Sequence, residues 1–145
     1  MINTDKKINV HIYLSLSNWI FGIIPLIYSL LKKDKEATIF IFSAILASTL
    51  MHLSDNKGGR SSLLFEKYSK LFLNIDRVVA WSSIIWGLYR IYNYSIHLIM
   101  IQWYILAIGF IFNGLSELLV NPISHTITHG IWHACAYYGL YNMYS

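Results

Sequence analysis

The chain has 145 residues, 56% of them hydrophobic, 16% aromatic and only 12% charged. Ordinary soluble domains carry about 25% charged residues. The composition is therefore that of a membrane protein: one domain over residues 1–145, all-α, folded as a polytopic transmembrane helical bundle. The formal charge of +4 is spread over short polar segments, which suits anionic lipid headgroups and leaves no surface for nucleic acid.

Five segments meet the roughly 20-residue requirement for crossing the hydrocarbon core: 10–31, 37–53, 71–92, 96–120 and 123–144. Lipid offers the backbone no hydrogen-bond partners, so each is expected to be helical. The second is short and the fourth long, which implies tilt or local thinning. Lys6 and Lys7 precede the first run as in a signal peptide, but the run is too long for one and has no small-residue cleavage site. It is expected to be a retained first span.

The connections are brief: Lys32-Lys33-Asp34-Lys35-Glu36, then Asn93-Tyr94 after Arg90, then Asn121-Pro122, where proline cannot continue the hydrogen-bond ladder. The longest loop, from Ser54 to Lys70, holds Gly58-Gly59 and a stretch from Leu63 to Tyr68 that suits a short interfacial helix. With five spans, the N-terminal side carries Lys6, Lys7, Lys57, Arg60, Lys67 and Lys70, and Arg77 at the start of the third span. The other side carries Lys32, Lys33, Lys35 and Arg90. The excess places the N-terminus in the cytoplasm.

Ionisable groups at bilayer depth are costly and mark functional sites. His129 and His133 lie one turn apart in the fifth span, and Ser48 and His52 have the same spacing late in the second. Asp76 lies early in the third. Residues i and i+4 share a helix face, and alternation of five spans brings all five groups to one side of the membrane. Three neutral imidazoles and an open position suit catalytic Zn2+, whereas four ligands make a structural site. Zinc lowers the pKa of a bound water and polarises carbonyls. Beside it, Asp76 suits a general base and Ser48 an oxyanion donor.

Plainer readings exist for each group alone. A single His can hydrogen-bond a neighbouring helix, Asp76 can pair with Arg77, and Ser48 can bond its own backbone. His125 extends the histidine stripe and is either a fourth ligand or a gate. Glu117 either orients a ligand imidazole or lies at the interface, and His11 and His97 read as interfacial. Cys135, the one cysteine, reads as a small buried hydrophobe.

The pattern of Ser-x-x-x-His (Ser48, His52), Asp76 and His129-x-x-Trp132-His133 resembles the CREST superfamily, which includes alkaline ceramidases, progestin and adipoQ receptors and myomaker. The resemblance implies His52, His129 and His133 as zinc ligands, with Ser48 and Asp76 flanking the reactive water. It implies hydrolysis of a lipid amide or ester, ceramide-like or phospholipid, within the bilayer. Superfamily members have seven spans; the two absent here fall between the Asp-bearing span and the last, which preserves sidedness. A non-enzymatic alternative is a zinc-stapled bundle serving as receptor or membrane-remodelling component. Haem between His52 and the fifth span explains neither Ser48 nor Asp76, and six histidines with a single cluster are too few for diiron chemistry. The wide lateral surfaces of a five-helix bundle leave room for a homo-oligomer.

Overall fold

The first helix ends by running directly into the cap of the second. Lys33 takes a left-handed conformation (φ 56°), and the amides of Lys33 and Asp34 bond back to the carbonyls of Leu30 and Ser29. This double closure satisfies carbonyls that a helix end leaves bare. Asp34 then accepts from the Ala37 amide at 3.0 Å, an N-cap of the preferred residue type. Its second carboxylate oxygen pairs with Arg90, and the Arg90 guanidinium lies 5.1 Å over the Trp86 ring. One acid thus closes one turn, starts the next helix and ties it to a third.

The computed structural model describes residues 4–55, 64–94, 96–119 and 121–142. They form five helices: α1 (Thr4–Leu31), α2 (Lys35–Ser54), α3 (Ser69–Tyr94), α4 (Ile96–Leu118) and α5 (Pro122–Asn142). α1 continues through Pro25, and Pro122 opens α5, where its missing N–H costs nothing. A short interfacial helix is expected between Leu63 and Tyr68; within the described residues only a single 3₁₀ turn forms, Glu66–Tyr68, after a left-handed Phe65. Lys57, Gly58, Gly59 and Arg60 lie outside the described residues, as does the side chain of His97.

α1 packs against α2 and α5, α2 against α3, and α4 against α5, whereas among the described residues α3 and α4 pack more loosely. Round the bundle the order is α3, α2, α1, α5, α4, with the loosest seam of the described residues between the first and the last. The apolar core is small: Ala37, Ile41 and Ile45 along one face of α2, against Tyr137. Gly22 permits the α1–α2 approach, since a Cβ there would sit 2.6 Å from Ile45 Cγ1.

Among the described residues, eleven buried side chains are polar and seven hydrophobic, while Ile20, Ile24, Leu31 and Val78 are more than half exposed. A polar interior under an apolar exterior is the reverse of a soluble fold. Among the described residues, three helical segments are long and apolar enough to cross a membrane: Val10–Leu31, Lys35–Ser54 and Glu66–Arg90. In α4, Tyr104–Leu118 is apolar but shorter.

Candidate metal centre

Chain direction alternates along the bundle, so the end of α2, the start of α3, the end of α4 and the first half of α5 converge. His52 from α2 meets His129 and His133 from α5 there, all three buried. The ring centroids form a nearly equilateral triangle of 5.0, 5.2 and 4.9 Å, with interplanar angles of 88°, 68° and 78°. One nitrogen from each ring lies within 4.8 Å of the others, and the Nε2 atoms of His52 and His133 are 3.3 Å apart. Three buried histidines are therefore close enough to hold one metal ion.

Two serines contact the second ring nitrogens of the α5 histidines. Ser17 on α1 donates its proton to the Leu14 carbonyl and contacts His133 Nδ1 at 2.9 Å. A hydroxyl has one proton, so with that proton on the Leu14 carbonyl Ser17 accepts at this contact and His133 carries its hydrogen on Nδ1. Ser116 on α4 repeats the device: its proton goes to the Asn113 carbonyl, and it contacts His129 Nδ1 at 3.1 Å. That arrangement leaves the Nε2 lone pair of each imidazole available to a metal ion. His52 Nε2 has at most one proton to share between them, whereas a cation takes both lone pairs.

A partner on the second ring nitrogen fixes tautomer and orientation of a ligand imidazole, and its loss typically lowers metal affinity 10–100-fold. Ser17→Ala and Ser116→Ala are each expected to weaken divalent-metal binding by roughly that factor with helix content unchanged. Titration with a competing chelator measures the first quantity and circular dichroism the second. Unchanged affinity in both variants would remove the serines from the site.

Neither serine is legible in the sequence. Ser17 and His133 are 116 positions apart, and a serine in an apolar helix ordinarily bonds its own backbone. These two do both. Asn18 also went unsignalled: fully buried, it donates to the Ile45 carbonyl and to Thr49 and accepts from the Tyr137 hydroxyl. A lone amide in a hydrophobic run was the available clue.

Ser48 Oγ lies 3.5 Å from His133 Nε2, the outer limit of a hydrogen bond. His125 is buried beside the triangle with its ring stacked on His129 at 5.5 Å. It donates from Nδ1 to the Ser116 carbonyl and stands outside the three-histidine group. His11, expected at the interface, is buried, 1% exposed. Cys135, expected to be buried, is half-buried. Glu117 is exposed.

A cavity of about 380 Å³ adjoins the triangle, within the size range of ligand sites. Ser48, Asp76, Glu117 and His129 line its polar end and Leu88, Leu106, Gly139 and Leu140 its apolar end. From Asp76 to Leu88 it follows α3 for roughly 18 Å at 1.5 Å per residue. Trp81 of α3 stacks on Phe110 of α4, which meets Trp132 of α5, and these rings cross the seam between α3 and α4. Comparison of the chain with protein-family models, with curated proteins and with solved structures finds no match.

Proposed function

We propose that the chain is a multi-pass integral membrane protein in which all five helices cross the bilayer, with a cytoplasmic N-terminus. Its activity in this reading is zinc-dependent hydrolysis of a lipid amide or ester, as a five-span relative of the CREST superfamily. The observation that carries the reading is the buried imidazole triangle, oriented through Ser17 and Ser116 and opening on an elongated cavity that Asp76 also lines. A tetrahedral metal with 2.0–2.1 Å bonds to nitrogen separates its ligand atoms by about 3.3 Å, which matches the His52–His133 spacing. Imidazole donors suit zinc.

Zinc, when bound, supplies Lewis acidity toward a carbonyl and acidifies water; the remaining work falls to the chain's own side chains. Asp76 takes the proton of the attacking water and returns it to the leaving group. Ser48 donates to the oxygen that gains charge. The apolar end of the cavity excludes water and seats hydrocarbon, and the seam between α3 and α4 is the side by which a lipid enters in this reading. The test is turnover of a lipid amide or ester by purified protein, abolished by a chelator and restored by zinc. Turnover indifferent to chelation would overturn the zinc reading, and none with any such lipid the hydrolase reading.

A further inference from the structure

The inner half of the cavity holds a hydroxyl that the site described so far does not use. Buried serines in these helices generally return their proton to the carbonyl three residues earlier. Ser29 does so to Leu26, Ser54 to Met51 and Ser116 to Asn113. Ser83 on α3 does not: it is 8% exposed, and its Oγ is buried without a hydrogen-bond partner. Ser15 shares that condition but lies away from the cavity, whereas Ser83 stands on its wall. Buried polar groups in native structures are satisfied unless something else is meant to satisfy them.

The same wall carries hydrocarbon from Ile84, Leu106 and Leu140. Two other polar side chains of the wall, Asn18 and Tyr137, bond each other, and Asn18 also bonds α2. Ser83 follows Asp76 by two helical turns on the same face of α3, about 10 Å along the axis. A ligand whose carbonyl lies at the histidine end therefore passes Ser83 with the middle of its chain.

We propose that Ser83 is a specificity-determining residue that recognises a hydroxyl or keto oxygen borne about 10 Å along the acyl chain of the lipid. At roughly 1.3 Å advance per carbon–carbon bond, this is near the ninth carbon of the chain. The inference rests on the lipid-hydrolase reading for the position of the carbonyl. A neutral hydrogen bond in a buried site corresponds to a preference of about 5- to 10-fold over the unsubstituted chain.

The experiment is equilibrium binding of fatty acids to the zinc-loaded, full-length protein in detergent, read by native mass spectrometry. The probes are stearic, 3-hydroxystearic and 9-hydroxystearic acids, the acyl products of the proposed reaction. Wild type is expected to prefer 9-hydroxystearic acid about 5- to 10-fold over the other two. Ser83→Ala should equalise the three without weakening stearic acid, and Ser83→Thr, which keeps the hydroxyl, should retain the preference. Equal binding of all three by wild type, or a preference surviving in Ser83→Ala, overturns the role of Ser83 and leaves the lipid reading standing. If no fatty acid binds wild type, the lipid reading fails and this inference with it. Should Ser83→Ala not fold, the position dependence in wild type decides.

Discussion

Detergent-purified wild-type protein is expected to carry one equivalent of zinc, and His129→Ala to carry none after the same purification. The triangle has no spare donor at its centre: His52, His129 and His133 are the described residues whose ligand atoms converge. Loss of a direct ligand costs more than the 10–100-fold typical of a supporting residue. Metal analysis by mass spectrometry gives the stoichiometry. A second readout comes from stability, because an ion that binds only the folded state stabilises it by about 2.7 kcal/mol at a hundred times its Kd. Zinc should therefore raise the melting temperature of wild type and leave His129→Ala unmoved. Stoichiometric zinc in the variant, or none in wild type after dialysis against zinc, would end the metal reading.

Asp76→Asn is expected to keep the zinc and lose hydrolysis by about 10²- to 10⁴-fold, the usual contribution of a positioned general base. The amide preserves shape and cannot take a proton. Asp76 lies on α3, across the cavity from the histidines and outside the group that can hold the metal, so the substitution separates chemistry from metal binding. The pair of measurements is zinc content and initial rate on the same preparation. Lost activity with full zinc supports the base; lost zinc would make Asp76 a ligand or its support. Full biological function of the variant would favour the stapled-bundle alternative, in which the metal joins α2 to α5 and no reaction occurs.

The helices were legible because their cause is local. Apolar runs of membrane length must satisfy their own backbones, and the expected boundaries differ from the observed ones at the terminal turns, where fraying and capping decide. Asp34 illustrates the limit. As an acid between two such runs it marks a turn, but its union with Arg90 depends on α2 lying beside α3. The histidine triangle was legible for a related reason: the i, i+4 spacing of His129 and His133 is a local geometric fact, and alternation of helix direction carries it to the level of His52.

The amino-acid sequence on its own determined an all-helical chain with apolar faces and a set of ionisable residues too costly to bury without purpose. Tertiary structure decided what holds those residues. Ser17 on α1, Ser116 on α4 and Asn18 earn their roles only through helix packing that brings distant positions within hydrogen-bond reach. It also turned His11 and His125 inward and gave Ser83 a place on a cavity wall. The physical reason is one of range: backbone satisfaction and side-chain periodicity act over a few residues, while tautomer, orientation and cavity shape are set by whichever helix lies opposite.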